Sequence, residues 1–567
     1  MKSCVQCNNT FKITDEDRAF YNKMNVLEPM QCPECRMKRR LSFQNDKTLY
    51  ARKSSKSGKP IISMYPEKTP FPVYDHGEWY GHDWDPLAYG QPIDFSRPFF
   101  EQFKEVRDRV PRIHLIADSL CTASPYVNQA STAKNCHLIF CSTENEDCYY
   151  GYRINHSKNC VDNLFANKCE LCYECIEAYS SYSCSYSRHI ESCTNSAFLY
   201  DCRGCTDCFM CAGLRNKSYR IYNVQYTKEA YEKKLSEYRM DSYDVVEMLK
   251  KEFSKFILTI PRRFASIKNG ENVTGDNIHA AKNCTAVFDA VNCENVSYAQ
   301  FVDYTRDAID LNYGFETELN YDSRMTGLSA YNIRFSMDVW PNVTNLDYCD
   351  SCSNTSDCFG CIGLRGKQYC ILNKQYSKDE YESLKAKLIA HMKETGEWSE
   401  FFPVELSPFA YNESTAMIFF PMRKEDVLKC GWHWKDDMPG AQGKETLTTI
   451  PDSINEVTDA ITTHVLACDT CERNYKIIKQ EFAFYRRQGI PIPRECPDCR
   501  LSDRVARRNP ARLYHRQCMC QAKSGQAQPG ESVHDHTGRC AVEFETTYAP
   551  DRSEAVYCER CYQKEII

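Results

Sequence analysis

Cysteine pairs with the spacing of metal ligands lie near both ends of the 567-residue chain. A C-x2-C-x24-C-x2-C pattern occurs twice without a gap, at residues 4–35 and at residues 468–499. A soft divalent ion such as zinc requires four thiolates arranged as a tetrahedron, and two C-x2-C knuckles can supply them. We predict a zinc finger in each stretch. The predicted ligands are Cys4, Cys7, Cys32, Cys35, Cys468, Cys471, Cys496 and Cys499.

The two stretches also share the residues between and around their knuckles. Both carry an A-F-Y triplet, at residues 19–21 and 483–485, and both have C-P-acid-C-R as the second knuckle. With these residues they resemble a little-characterised group of bacterial treble-clef or zinc-ribbon modules with a C-x2-C, F-Y, C-P-x-C-R pattern. The resemblance implies zinc binding and no settled biochemical role. Because cysteine fills all four positions, we expect the metal to hold the fold.

A third set of cysteines lies in the C-terminal region, where Cys540, Cys558 and Cys561 follow a C-x17-C-x2-C spacing. Cys518 is the fourth ligand if residues 521–539 are an insertion inside the first knuckle. The stretch resembles a known C-x2-C-x17-C-x2-C zinc ribbon, from which that insertion is the departure. The alternative ligands for the fourth position are Cys520, His534 and His536. Two fingers and one ribbon give an expected content of about three zinc ions.

The same ribbon pattern recurs after the first finger, but without its cysteines. Its four ligand positions hold Ser54, Ser57, Asp75 and Glu78. Two hydroxyls and two carboxylates do not make a thiolate site, so we predict that this module folds without zinc. A metal held by the carboxylates with His76 or His82 is the alternative.

Each finger is followed by a basic run in which tyrosine is also present. The candidate nucleic-acid-binding residues are Arg36, Lys38, Arg39, Arg40, Arg504, Arg507, Arg508 and Arg512. Such runs can bind phosphates through their cations and stack bases on tyrosine. The alternative is a solvated helix face with apolar anchors.

The composition limits the function classes. The chain has 71 basic and 77 acidic residues, and its net charge of −6 excludes a global field that attracts nucleic acid. The first residues lack the apolar core of a secretory signal, and no apolar run is long enough to span a bilayer. We therefore expect a cytoplasmic protein without a membrane partner, whose 35 cysteines are metal ligands or buried side chains rather than disulfides.

The centre of the chain is a repeat. Cys136, Cys148, Cys160, Cys172 and Cys184 follow one another at intervals of twelve, and Cys193 and Cys205 continue the series after a step of nine. A second block matches at an offset of 148 to 150, with Cys284, Val296, Ala308, Asn320, Asn332, Val343 and Thr355 at the matching positions. Small residues at a fixed period predict a β-solenoid in which the cysteines stack inward. We expect one strand and one turn per twelve residues, with about two such arcs in each coil.

Two central cysteine clusters, at residues 202–211 and 349–361, leave an alternative open. The first has a C-x2-C-x2-C-x2-C run that only superficially matches an iron–sulfur pattern, and the second has spacing that zinc could use. Either cluster holds metal or packs its thiols in the solenoid.

The predicted fold is mainly β, with two β-solenoid (parallel β-helix-like) segments and capping helices, flanked by small zinc-finger or zinc-ribbon modules at both ends. A serine cap at Ser96 predicts a helix at 98–110, and caps at Thr227 and Ser377 predict helices after each solenoid. The predicted boundaries are 1–53 (finger with basic tail), 54–85 (ribbon lacking its cysteines), 86–113 (linker and capping helix), 114–223 (solenoid), 224–261 (helical insert), 262–373 (solenoid), 374–397 (capping helix), 398–460 (aromatic and Pro-rich connector), 461–517 (finger with basic tail) and 518–567 (ribbon).

This module order looks like that of uncharacterised cysteine-rich bacterial proteins. No Gly-rich phosphate loop, G-x-S-x-G elbow or H-E-x-x-H helix is present, so no catalytic residue and no small-molecule substrate are identified. The favoured hypothesis is a non-enzymatic zinc-binding scaffold with a macromolecular partner, which is a protein, a nucleic acid or a ribonucleoprotein. The alternatives are a β-helix enzyme that acts on a polymer and a cysteine-rich redox or metal-storage protein.

Overall fold

The computed structural model describes residues 1–522 and 536–566. Within them the helices are short and lie outside the repeat region. They are α1 (Asp15–Lys23), α2 (Pro33–Ser42), α3 (His76–Tyr80), α4 (Phe99–Arg107), α5 (Lys228–Leu235), α6 (Tyr243–Leu258), α7 (Lys378–Glu394), α8 (Thr415–Phe419), α9 (Lys424–Lys429), α10 (Lys479–Gln488), α11 (Pro497–Ala506) and α12 (Glu559–Glu565). None of the helices in the described part of the chain has both the length and the apolar character needed to cross a bilayer.

Two β-solenoids form the centre of the molecule, as predicted. The strands of the first are Asn128–Lys134, Phe140–Glu146, Tyr152–Asn155, Leu164–Asn167, Ile176–Tyr179, Tyr182–Ser185, Arg188–Glu191, Thr194–Tyr200, Thr206–Ala212, Ser218–Ile221 and Val224–Gln225. Those of the second are Ile267–Ser297, Asp303–Asn312, Phe315–Arg324, Ala330–Arg334, Val343–Asp347, Ser356–Phe359, Gln368–Ile371 and Lys374–Gln375. All successive coils pair in parallel, and only the last short strand of each sheet is antiparallel.

One coil is a single twelve-residue unit. Leu164 pairs with Ile176, and Ile176 pairs with Arg188, so each strand meets its neighbour twelve residues further on. The expectation of two arcs in each coil is therefore wrong. The reason is that the chain turns a corner every three residues, which closes a coil in half the expected length.

The corners are left-handed residues. Gln129, Thr132, Asn135 and Leu138 have φ values of 51°, 51°, 52° and 50°, and this three-residue period continues through both solenoids. Each non-glycine residue in this region costs about 1 kcal/mol or more, which the hydrogen bonds between stacked coils must offset. The residue after each of these corners is buried, which makes every third residue part of the interior. In this stretch the buried residues are Ala130, Ala133, Cys136 and Ile139.

The predicted stack of inward-facing cysteines, one from each coil, is present, but its last members differ from those predicted. It contains Cys136, Cys148, Cys160, Cys172 and Cys184, and continues through Ser196 to Cys208, whose amide donates to Ser196 Oγ at 3.0 Å. Cys193 donates instead to Ser181 Oγ at 3.2 Å, on the neighbouring side of the coil. Placing Cys193 and Cys205 on the first ladder was wrong, because nine residues advance the chain by three sides of a four-sided coil.

The second solenoid contains two coils that are longer by one residue. Thr317 pairs with Ala330, and Ala330 pairs with Val343, at intervals of thirteen. The first of these insertions shifts the inward position from Asn332 to Ile333, which is fully buried. Asn332 lies at a corner and donates to Asn345 Oδ1 at 2.8 Å, so its predicted inward position is wrong.

A ladder of aromatic rings runs along the outside of each solenoid. The first contains Tyr173, Tyr186, Phe198 and Phe209, and the second contains Tyr321, Phe335, Tyr348 and Phe359. Helix α6 covers the first through Phe253, whose ring centroid lies 5.7 Å from that of Phe198. Helix α4 covers the second through Phe99, 5.3 Å from Phe359. These rings form apolar cores outside the narrow solenoid interiors.

Helices also cover the last coil of each solenoid. Tyr231 of α5 packs on Tyr219 with ring centroids 5.9 Å apart, and Tyr381 of α7 packs on Tyr369 at 5.8 Å. The predicted capping box at Ser377 is present. The predicted cap at Ser96 is not, since the side chain of Glu397 accepts hydrogen bonds from the first amides of α4, at 2.8 and 2.7 Å.

The terminal modules are built from short strand pairs and single helices. The antiparallel pairs are Lys2–Ser3 with Thr10–Phe11, Tyr50–Lys53 with Pro60–Ser63, Leu466–Ala467 with Asn474–Tyr475, Tyr514–Gln517 with Glu543–Thr546, and Gln521–Ala522 with Gly538–Arg539. Each ribbon also adds one parallel pair to the segment that precedes a solenoid. These pairs are Val73–Tyr74 with Arg112–Ile113 and Val556–Tyr557 with Arg262–Arg263.

Candidate metal centres

The fold brings together the cysteines of each finger. The four thiol sulfurs of residues 4–35, and separately those of residues 468–499, lie within 4.8 Å of one another. Cys7 Sγ is 3.8 Å from Cys32 Sγ, and Cys471 Sγ is 3.7 Å from Cys496 Sγ. A tetrahedral zinc site with Zn–S bonds of about 2.3 Å needs sulfurs about 3.8 Å apart. Both fingers can therefore hold a metal ion, and the identity of that ion stays a prediction.

The second knuckle of each finger lies at the start of a helix. Cys32 and Cys496 occupy the N-cap positions of α2 and α11, and the proline that follows each takes the first helical position, where its missing amide costs nothing. Helix N-termini favour thiolates. In the N-terminal finger a hydrogen bond from Cys35 lowers the pKa of Cys32, whereas in the C-terminal finger burial raises the pKa of Cys496.

The C-terminal ribbon assembles the set predicted for it. The sulfurs of Cys518, Cys540, Cys558 and Cys561 lie within 4.8 Å of one another. The Cys540 and Cys558 sulfurs are 4.0 Å apart, and the Cys558 amide donates to Cys518 Sγ at 3.2 Å. Two of the alternative ligands also lie here, because Cys520, His536 and Cys561 form a second compact group. The third alternative, His534, lies outside the described residues.

In the N-terminal ribbon, hydrogen bonds link residues that stand where the C-terminal ribbon has cysteines. Ser54 donates to the carboxylate of Glu78, while Asp75 caps α3 by accepting from the Glu78 amide at 2.7 Å. Burial tends to raise the pKa of Glu78, but hydrogen bonds from Ser54 and Ser57 outweigh it, so the pKa is lowered. The side chains of Ser54 and Ser57 thus bind the carboxylate of Glu78, and a fold without zinc stays a prediction for this module.

The central cysteines are packed in the solenoid interior. In the described ranges, 1–522 and 536–566, every compact ligand group lies in the terminal modules, and neither residues 202–211 nor 349–361 supply one. Central thiols instead donate to carbonyls of the next coil. Cys148 Sγ lies 3.3 Å from Ser157 O, and Cys160 Sγ lies 3.5 Å from Cys169 O. This geometry favours the packing interpretation over a central metal site.

Arginines of α2 join the N-terminal finger to the second solenoid. Arg36 Nε is 2.7 Å from Asp310, and Arg40 Nη1 is 2.9 Å from Asp322 and 3.4 Å from Asp310. Arg39 pairs with Asp322 as well. All five side chains are nearly or fully buried, so these ion pairs form a clasp in a region of low dielectric.

Helix α11 repeats the clasp on the first solenoid. Arg504 Nη1 lies 2.9 Å from Asp162 and Arg500 Nε lies 3.4 Å from the same carboxylate. Further along, Arg507 pairs with Glu174 at 2.9 Å, and Arg508 lies 2.6 Å from Glu177 and 2.5 Å from Asp289. Asp289 belongs to the second solenoid, so Arg508 contacts both.

Nucleic-acid binding by the basic runs stays a prediction, and these contacts weigh against it. The guanidinium groups of Arg36, Arg39, Arg40, Arg504 and Arg508 have little exposed surface and already pair with carboxylates of the solenoids. The other three candidates are more exposed but are paired too. Lys38 and Arg512 bind Glu34, and Arg507 binds Glu174 and Asp503.

Sequence reasoning missed the acidic partners. Asp162 and Asp310 occupy matching positions of the two repeats, at the offset of 148 that the cysteines define, and so do Glu174 and Asp322. Two repeats with acids at matching positions, together with two fingers followed by arginines at matching positions, were a signal in the sequence that the two sets pair. It was overlooked because the arginines lie far from these acids along the chain, 274 residues for Arg36 and Asp310 and 333 residues for Arg507 and Glu174.

The fold and these sites together define a double β-solenoid whose ends carry four-cysteine groups able to hold metal ions. The chain matches no protein-family model, and the search of curated proteins finds no match. The resemblance of the fingers to bacterial zinc modules therefore rests on their motifs and on the compact cysteine groups.

Proposed function

We propose that the chain is a non-enzymatic zinc-binding scaffold that presents its two solenoids to a protein partner. The observation that carries the proposal is the position of the clasp. Arg36 and Arg500 directly follow the last cysteine of each finger, and both bind a solenoid carboxylate. In each finger, a predicted metal ligand and an arginine that binds a solenoid are therefore adjacent in the chain, as Cys35–Arg36 and Cys499–Arg500.

This link gives the metal a structural task. Four thiolates fix the start of α2 and α11, and the arginines at positions i and i+4 of each helix then lie on one face. That face contacts Asp310 and Asp322 in one half and Asp162 in the other. Loss of the metal would release the helix starts and leave buried carboxylates without their partners.

The exposed faces of the solenoids support a protein as the partner. One row along the first solenoid contains Lys134, Glu146, Lys158, Glu170 and Tyr182, and the matching row along the second contains Lys282, Glu294, Arg306, Glu318 and Tyr331. The charges alternate and neighbours pair, with Lys134 and Lys158 lying 2.6 and 3.0 Å from Glu146. A row of alternating sign does not attract a polyphosphate, whereas the exposed tyrosine that continues each row is typical of protein interfaces.

The other candidate functions find less support. The central thiols of Cys148 and Cys160 are fully buried and donate to carbonyls of the next coil, whereas a redox or metal-storage role requires thiols that solvent can reach. Nucleic-acid binding is tested by fluorescence anisotropy with labelled RNA and DNA at two salt concentrations. If the partner is a protein, neither nucleic acid should bind with an affinity that falls steeply as the salt concentration rises. A steep fall in affinity with salt would identify nucleic acid as the partner.

The direct test compares the wild-type chain with a Tyr182→Ala/Tyr331→Ala double variant, both immobilised and exposed to cell extract. Proteins retained by the wild type should be lost from the double variant and kept by the control Tyr304→Ala, which removes an exposed tyrosine outside the two rows. Chelation should abolish retention as well. Equal retention by all variants, or turnover of a polymer substrate, would refute the proposal.

A further inference from the structure

A second group of metal ligands lies beside the four-cysteine set of the C-terminal ribbon. The ligand atoms of Cys520, His536 and Cys561 lie within 4.8 Å of one another, and His536 Nε2 is 3.3 Å from Cys561 Sγ. Cys520 and Cys561 are buried, and His536 is half-buried. The pairing of Gln521–Ala522 with Gly538–Arg539 brings the cysteine and the histidine to the same place.

The histidine is oriented as a ligand. Its Nδ1 lies 3.1 Å from the carbonyl oxygen of Gly538, which requires the proton to be on Nδ1. Nε2 then carries the lone pair and points to Cys561. A backbone carbonyl that fixes the tautomer in this way is the usual support of a metal-binding histidine.

The two groups cannot be one site. An ion in the four-cysteine set needs ligands about 3.8 Å apart, and Cys520 is not within 4.8 Å of every member of that set. Cys561 is the only residue that belongs to both groups among the described residues. If both groups are filled, its sulfur must bridge two ions.

We propose that the C-terminal ribbon holds two zinc ions, the second bound by Cys520, His536 and the bridging thiolate of Cys561. The described residues supply three ligands to this second ion, and its tetrahedron needs one more, such as a water molecule. With three ligands among the described residues rather than four, this site differs from the four-thiolate sites of the fingers. This goes beyond the proposed function, which requires only one ion in each of the three four-cysteine sets.

The test is the zinc content of the full chain, loaded with excess zinc, desalted, and measured by elemental analysis and native mass spectrometry. We expect four ions in the wild type, which is one for each group of compact ligands. Cys520→Ser and His536→Ala should each lose one ion, and Cys561→Ser should lose two. Cys430→Ser removes a half-buried thiol outside every group and should lose none.

Three ions in the wild type, with no loss on changing Cys520 or His536, would overturn the inference and leave the proposed function intact. Loss of a single ion from Cys561→Ser would overturn the bridge. The two finger ions report whether a variant has folded, since a misfolded variant would lose these too.

Discussion

Arg36 of the N-terminal finger lies 2.7 Å from Asp310 of the second solenoid, 274 residues away along the chain. The C-terminal finger makes the matching contact with the first solenoid, through Arg500 and Asp162. Tyrosines follow the same rule, because Tyr21 packs on Tyr321 and Tyr485 packs on Tyr173. The N-terminal finger thus packs on the second solenoid, and the C-terminal finger packs on the first.

The clasp predicts a large loss of stability on removal of a single arginine. Arg40→Ala leaves Asp310 and Asp322 buried with fewer partners, and breaking a buried ion pair costs about 3 to 5 kcal/mol. Denaturant unfolding of the zinc-loaded chain measures this. Lys38→Ala is the matched control on the same helix, and its partly exposed pair with Glu34 should change stability by less than about 1 kcal/mol. Equal effects of the two variants would show that the clasp is unimportant.

The N-terminal ribbon should accept a metal once its cysteines are restored. Replacing Ser54, Ser57, Asp75 and Glu78 together with cysteine places thiols at the positions that correspond to the C-terminal set. We expect one additional zinc ion per chain and resistance of this module to heating, both lost on chelation. The wild-type module should keep its amide protection in chelator. If chelation unfolds the wild-type module, the hydrogen bonds among Ser54, Asp75 and Glu78 are not sufficient to maintain its fold.

The sequence was sufficient for those parts of the structure that depend on short spacings. The C-x2-C pairs identified the three cysteine groups, and the twelve-residue period identified the solenoids. The coil length was predicted wrongly because a period of twelve residues is compatible both with a coil of twelve residues and with half of a coil of twenty-four. The C-x2-C-x2-C-x2-C run at 202–211 indicates the shorter coil, because it places a buried residue at every third position.

The clasp could not be predicted in the same way. Basic residues after a finger have the same local pattern whether they face phosphate, water or a buried carboxylate. Only the fold shows that Arg40 and Arg504 are buried, and that their partners come from the solenoids. Lys38 of the same run is partly exposed and pairs with Glu34 of its own helix, a contact within reach of the local sequence.

Stability should fall in mild alkali because of a histidine at the first solenoid. Burial alone would lower the pKa of His189, but the charge of Glu177, 2.6 Å away, outweighs it and raises the pKa to about 9. The unfolded pKa is about 6.5, so the ion pair stabilises the fold fully below that pH and is lost as pH rises through 9.

His189→Gln should remove this pH dependence. Because the imidazole keeps a third of its surface exposed, we expect about 1 kcal/mol rather than the roughly 3 kcal/mol of a fully buried pair. The measurement is the difference in unfolding free energy between wild type and variant from pH 6 to about pH 9.5. A difference that does not shrink with rising pH would contradict the assignment.

The account depends on thiolates that bind metal at the two ends of the chain and thiols that only fill space in its middle. A zinc-edge anomalous difference map from a crystal of the full chain tests this most directly. We predict peaks centred among the cysteines of residues 4–35, of residues 468–499 and of the C-terminal ribbon, and none along the solenoid axis. A peak within residues 202–211 or 349–361, or an empty finger in zinc-loaded protein, would contradict it.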